Sequence, residues 1–171
     1  MVTVRVLTAA ELPLVTAAFP EPRSPVNRHA ERFALQESGD VTCLVAWDEE
    51  RPVGWVFARW PGRNGGLTEQ AIALGCVEFG DLFVAEGARG RGTGRALMEA
   101  VEALVRQYGI DFVGFEVTVA NAYNEVARGL YERMGYQDAG FAPFVSGHTY
   151  WDERGQPHRD EELHRYLTKR L

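Results

Sequence analysis

Three arginines and three glycines fall in the run Arg89-Gly90-Arg91-Gly92-Thr93-Gly94-Arg95, a combination able to hold an anion. Apolar Ala96, Leu97, Ala100, Val101, Leu104 and Val105 follow at helical spacing, so the glycines deliver the chain into a helix start. A helix N-terminus has backbone N–H groups without intrahelical partners and a partial positive charge, and both favour phosphate oxygens. Gly90, Gly92 and Gly94 allow positive φ or the close approach of a ligand, while Arg89, Arg91 and Arg95 add full charge. Spacing excludes two phosphate loops. There is no G-x-x-x-x-G-K-S/T, and Arg95 stands where G-x-G-x-x-G needs its third glycine. A solvated basic turn is the other reading of the same residues.

The elements that position this loop follow from pattern. Val77, Phe79, Leu82, Phe83 and Val84 make residues 76–84 a buried strand entering it. Upstream, residues 2–7 alternate as a strand, and Thr8 and Glu11 stand at capping-box spacing for a helix that ends before Phe19-Pro20. Asn27 is placed to cap a helix over residues 28–37. Residues 41–47 and 53–60 read as two strands of a hairpin. The glycine-rich connection 61–75 holds one short helical turn near residues 68–73, and its length marks it as a cover for a site or a surface insertion. Downstream come a strand over 111–119, a helix from Asn121 or Asn124 to Met134 stopped by Gly135, and extended segments at 136–142, 144–154 and 162–171. No internal repeat or low-complexity tract interrupts the chain, so residues 1–171 read as one domain.

Composition narrows the partners. With 24 acidic against 18 basic residues the net charge is −6, which disfavours nucleic acid and anionic membrane and suits cationic small molecules or basic peptide termini. Cys43 and Cys76 fall in apparent strands and read as buried thiols of a reducing, cytoplasmic protein. No apolar window approaches membrane-spanning length and the first residues lack the pattern of a secretory leader. His29, His148, His158 and His164 show no metal-ligand spacing with the cysteines, so no metal is expected; the histidines read as surface or structural, with contact to substrate the alternative for His158 and His164.

The run from Arg89 to Gly94, entered from Leu82-Phe83-Val84, resembles the R/Q-x-x-G-x-G/A signature of the GCN5-related N-acetyltransferase (GNAT) superfamily. A second segment, Asn124 to Tyr136, resembles that family's N-x-x-A-x-x-L-Y-x-x-x-G-F/Y pattern through Asn124, Ala127, Leu130, Tyr131, Gly135 and Tyr136. The resemblance implies an α/β (α+β) fold. Its mixed, mostly antiparallel central sheet would have about seven strands flanked by about four helices, in the order β-α-α-β-β-β-α-β-α-β-β.

It also implies a chemistry. Acetyl-CoA is the expected co-substrate: its pyrophosphate on residues 89–95, its pantetheine arm along Leu82, Phe83 and Val84, one strand N–H on the thioester carbonyl, and Asn124 as a further contact. Asn121 competes for that contact, because it stands at the family's usual distance from the strand that holds Glu116, whereas Asn124 shares a helix with Tyr131. Tyr131 is the implied acid for the departing thiolate. For the base, Glu78 and Glu116 match positions from which family members draw a glutamate, and Asp81 is a third candidate. By strict alternation Glu78 shares a face with Leu82 and Val84, and Asp81 points away unless Gly80 marks a bulge.

The expected activity is transfer of an acyl group, foremost acetyl, to the amine of a small molecule, peptide or protein by direct attack in a ternary complex. A coenzyme A-binding regulatory module and an O-acyltransferase are the rival expectations. Extended C-terminal segments suggest a homodimer, as in other family members.

Overall fold

The computed structural model describes residues 2–20, 27–119 and 123–171, with the side chains of residues 123–126 left aside. Among these residues an eight-stranded sheet is ordered β1-β2-β3-β4-β5-β8-β6, with β7 pairing β8 off that path. The strands are β1 (Val2–Val6), β2 (Val41–Asp48), β3 (Arg51–Arg59), β4 (Val77–Val84), β5 (Phe112–Thr118), β6 (Gln137–Asp138), β7 (Phe144–Trp151) and β8 (Pro157–Arg170). The helices are α1 (Leu12–Ala18), α2 (Arg28–Glu37), α3 (Glu69–Leu74), α4 (Thr93–Gln107) and α5 (Tyr123–Arg133). Every strand pair is antiparallel except β4 with β5, whose connection runs through α4. This is the mixed sheet expected from the sequence. The eight strands and five helices agree with the approximate counts expected; the 68–73 turn forms a short helix, α3, and the stretch 136–142 contributes a two-residue strand, β6.

Two apolar clusters hold the sheet between its layers. On one face α4 buries Leu97, Met98, Val101 and Val105 against Leu44, Val56, Ala58, Val77, Phe79 and Val113. On the other, α1 and α2 cover Val41, Cys43, Val45, Trp47 and Phe57, with Val15 and Phe19 buried among them. At about 25 cal/mol per Å² of apolar surface, side chains of this kind stabilise by about 1.5–3 kcal/mol each.

Local signals set the helix ends. The Asn27 side chain accepts from the Ala30 amide at 3.1 Å, and that of Thr68 accepts from Ala71 at 3.2 Å. Helix α1 departs from expectation, beginning at Leu12 and not straight after Thr8. Glu11 accepts from the Thr8 amide at 3.0 Å, but the Thr8 hydroxyl donates to the same Glu11 oxygen atom at 2.8 Å and so caps no backbone amide. Residues 8–11 therefore form a closed turn ahead of the helix.

Strand β4 carries the irregularity that matters for function. Its register against β3 runs Arg59↔Glu78, Ala58↔Phe79 and Phe57↔Gly80, then jumps to Trp55↔Phe83. Asp81 sits at this bulge with φ 50, a conformation uncommon outside glycine and least so for Asn and Asp. The extra residue reverses side-chain parity. Leu82 and Val84 join the cluster under α4 that already holds Val77 and Phe79, whereas Phe83 turns to the cluster under α1 and α2. The expectation that Glu78 shares a face with Leu82 and Val84 is thus corrected, because alternation does not survive a bulge.

Candidate active site

Beyond Glu78 the sheet opens. β4 and β5 are paired only at Val77↔Val113 and Glu78↔Gly114, although β4 continues to Val84 and β5 to Thr118. Their facing edges therefore diverge and leave backbone groups unpaired on both sides. Ala85 donates to the Val53 carbonyl at 2.9 Å, so alternation turns the Val84 peptide away from β3 and into the gap. There its carbonyl accepts from Nε of Arg89 at 3.0 Å. Phe83, opposite Trp55, faces β3 instead and stacks on Trp55 with ring centroids 4.3 Å apart.

The glycine-arginine turn lies at the end of β4. Gly90 and Gly92 have φ 71 and 85, and Gly92 is the N-cap residue of α4. Among the described residues, none of the amides of residues 90–95 has an acceptor. Unpaired N–H groups in succession at a helix start form a positive concavity suited to a pyrophosphate. Thr93 contributes through its backbone alone, since its side chain is buried and its hydroxyl donates to the Ala88 carbonyl at 3.0 Å. Arg91 is exposed, and Arg95 pairs with Glu99 at 2.9 Å on the helix surface. Gly94 faces Leu130 of α5 and Val84: a Cβ built on it would lie 3.6 and 3.7 Å from them. The loop, β4 and α5 thus converge at one point.

Tyr131 projects from α5 onto β5, edge-on to Phe115 with centroids 4.6 Å apart. Burial alone raises its pKa above 10.0, because a phenolate loses solvation there. Asn124 lies in α5, in the same helix as Tyr131, and Asn121 is outside the described residues.

The three candidate carboxylates occupy distinct surroundings. Glu78, fully buried, accepts from Arg59 Nη1 at 2.7 Å through one oxygen and from the Thr68 hydroxyl through the other. Behind it Tyr166 reaches Cys76, hydroxyl to Sγ 3.3 Å. Burial and the nearby Glu78 push the Tyr166 pKa up, and burial raises that of Cys76 to about 11. Asp81 is ion-paired with Arg32 of α2. Glu116, one turn of the pleat past the last β4–β5 pair, accepts from the Ser146 hydroxyl at 3.0 Å through Oε1. Its Oε2 is buried without a partner, 3.8 Å from His164 Nδ1, which is also buried without one.

A family model described as the acetyltransferase (GNAT) family matches residues 8–136. The chain belongs to that family. No curated protein matches it in sequence. Among solved structures, a ribosomal-protein-alanine N-acetyltransferase from Brucella melitensis superimposes with TM-score 0.64 at 21% identity, over 99% of each chain. The ribosomal-protein-S18-alanine N-acetyltransferase of Escherichia coli gives 0.63 at 17%, over 100% of this chain and 94% of that one. An acetyltransferase from Salmonella typhimurium, solved with its cofactor acetyl-CoA, gives 0.65 at 18% over 99% and 94%. At these identities the likeness is one of fold.

Within this GNAT fold, the sequence singled out the loop, Tyr131 and the carboxylates as candidates but not the side chains that the structure packs against those carboxylates, Arg59, Thr68, Tyr166 and Ser146. His164 read as surface or structural, with substrate contact as the alternative. Period-2 alternation places Glu162, His164 and Tyr166 on one face of β8, and that signal was present in the sequence. The strand to which the face is opposed was not.

Proposed function

We propose that the protein is an acyl-CoA-dependent N-acyltransferase that passes acetyl from acetyl-CoA to a primary amine by direct attack in a ternary complex. The observation that carries this reading is the gap between β4 and β5, open at the unpaired amides of residues 90–95. A pyrophosphate on those amides leaves a pantetheine arm along Val84, with the thioester directed between the diverging strands toward Tyr131. Arg89, Arg91 and Arg95 add positive charge around the phosphates, Gly90 and Gly92 hold the turn, and Asn124 is the proposed further contact from α5.

The acceptor half demands a base. A lysine-like amine titrates at about 10.4, so freeing its lone pair at pH 7 costs about 4–5 kcal/mol. Glu116 is the proposed base because one of its oxygens is uncommitted, whereas both oxygens of Glu78 are bound to Arg59 and Thr68. Glu78 is then a support that fixes the vertex of the gap. Tyr131 is the proposed acid: its raised pKa keeps it a phenol throughout the neutral range. A backbone N–H of β4 polarises the thioester carbonyl, and holding both substrates in one cleft supplies the remainder through proximity.

Calorimetric titration with acetyl-CoA tests the first half, and absence of binding up to millimolar concentration overturns it. A thiol-release assay against small amines, peptides with free N-terminal amines and hydroxyl acceptors tests the second. Release with amines is expected. Binding without release identifies a coenzyme A-binding regulatory module, a reading favoured by the engagement of Glu78 with Arg59. Release with hydroxyls alone identifies an O-acyltransferase.

A further inference from the structure

We infer that His164 is a positioning residue for Glu116 and takes on the proton that Glu116 removes from the acceptor amine. The inference rests on the N-acyltransferase reading and extends it to a second residue. Glu116 Oε2 and His164 Nδ1 are each buried without a hydrogen-bond partner, yet they lie 3.8 Å apart. Buried polar atoms are rarely left unpaired, and these two lie just beyond hydrogen-bond distance of each other. A proton on either atom, with a small rotation, closes a charge-assisted hydrogen bond.

The surroundings give the pair a direction. The Glu116 side chain is 32% exposed and that of His164 13%, so the carboxylate is the more accessible of the two and the imidazole the more enclosed. Ser146 fixes the other carboxylate oxygen at 3.0 Å. Opposition of Thr118 to His164 and of Glu116 to Tyr166 puts imidazole and carboxylate on diagonal sites of one sheet face, where Phe144 of β7 lies beside the ring at 6.1 Å between centroids. The other titratable groups on or against this face are Tyr166, Glu162, Asp160 and His158 of β8, His148 and Tyr150 of β7, Glu78 of β4, and Cys76 beside Tyr166. Tyr166 is held as a phenol by burial, and Arg59 offsets the charge of Glu78.

The proton count requires such a store. An acceptor ammonium has three N–H bonds and the amide product one. The first proton passes to the Glu116 carboxylate and on to His164 Nδ1, and the freed lone pair forms the C–N bond at the thioester carbonyl. The C–S bond then breaks, its electron pair leaves on sulfur, and the thiolate takes the Tyr131 proton. The second proton lost by nitrogen restores the balance of Tyr131, and the first leaves from His164 to solvent. An imidazole is intrinsically a stronger base than a carboxylate, so a proton taken by Glu116 has a better acceptor beside it.

The test compares the wild type with His164→Gln and His164→Asn, two variants so that the failure of one to fold does not decide the matter. Calorimetric affinity for acetyl-CoA and the thermal midpoint should be unchanged. With the best amine at pH 7, kcat should fall about 10- to 100-fold with KM little altered. The acid limb of the pH-rate profile should move to lower pH, because the stronger base has been removed. In the unliganded protein, Glu116→Gln should displace the His164 Nδ1 resonance in a nitrogen-15 spectrum. An unchanged acid limb in both variants, or an unmoved resonance, overturns the role of His164 while leaving N-acyl transfer standing. A wild type that binds acetyl-CoA and acetylates no amine overturns the N-acyltransferase reading, and the inference with it.

Discussion

Nη1 of Arg59 donates to Oε1 of Glu78 at 2.7 Å, on the residue of β4 at which the pairing with β5 ends. The ion pair therefore sits at the vertex of the gap. With the Glu78 side chain 1% exposed and that of Arg59 23% exposed, the pair is largely dry, and each partner depends on the other for its compensation.

Glu78→Gln is accordingly a stability variant. Removing one charge of a buried pair typically costs about 3–5 kcal/mol, and the exposed edge of Arg59 puts the expectation at the lower end of that range. Denaturant unfolding should show the loss. The acid limb of the pH-rate profile should persist in Glu78→Gln and vanish in Glu116→Gln. A limb that vanishes only in Glu78→Gln would return the role of base to Glu78.

The two glycines that flank Thr93 should separate backbone conformation from ligand approach. Gly92, at φ 85, is in the left-handed region, where an added Cβ costs about 1–2 kcal/mol. Gly92→Ala should lower both stability and coenzyme A affinity. A Cβ on Gly94 meets only ordinary contacts at 3.6 and 3.7 Å, so Gly94→Ala should leave stability within about 0.5 kcal/mol. If a pyrophosphate approaches that backbone closely, coenzyme A affinity falls in Gly94→Ala all the same. Calorimetry beside thermal melting reads both quantities.

Tyr131→Phe should remove the acid and little else. Desolvation is the cause of the raised pKa, with no hydrogen bond contributing, so the melting temperature should hardly change. Turnover should drop by about 10²-fold or more with acetyl-CoA affinity retained. Because the raised pKa keeps the phenol protonated below pH 10, no alkaline limb from Tyr131 should appear under that pH. Unchanged kcat in the variant would exclude Tyr131 from the chemistry.

Alkaline unfolding follows from the buried thiols and phenols. Cys43 and Cys76 are raised by burial from 9.0 to about 11, and burial, reinforced by Glu102 and Glu78 respectively, raises Tyr136 and Tyr166. A group whose pKa is higher folded than unfolded stabilises fully below its unfolded value and loses that contribution as pH rises through the folded one. Stability should therefore be flat up to about pH 9 and fall between about pH 9 and 11 and beyond. Cys43→Ala with Cys76→Ala should flatten the first part of that fall in denaturant midpoints measured against pH.

What the sequence determined by itself was local and periodic. Glycines with arginines before an amphipathic run marked the turn into α4, Asn27 and Thr68 marked helix starts, and a thirteen-residue pattern located Tyr131. Each depends on neighbours within a few turns of chain, so pattern suffices. The bulge at Asp81 was only a contingency in the sequence, because nothing local obliges a strand to carry an extra residue until its partner fixes the register. That bulge moved Glu78 to the face opposite Leu82 and Val84. The partners of the carboxylates were likewise invisible. Arg59, Thr68 and Ser146 reach them only through strand order and connection, and His164 meets Glu116 from 48 positions along the chain because β8 inserts beside β5. Tertiary structure decided which carboxylate is bound and which has an oxygen to spare, because the state of a buried charge is set by what is packed against it.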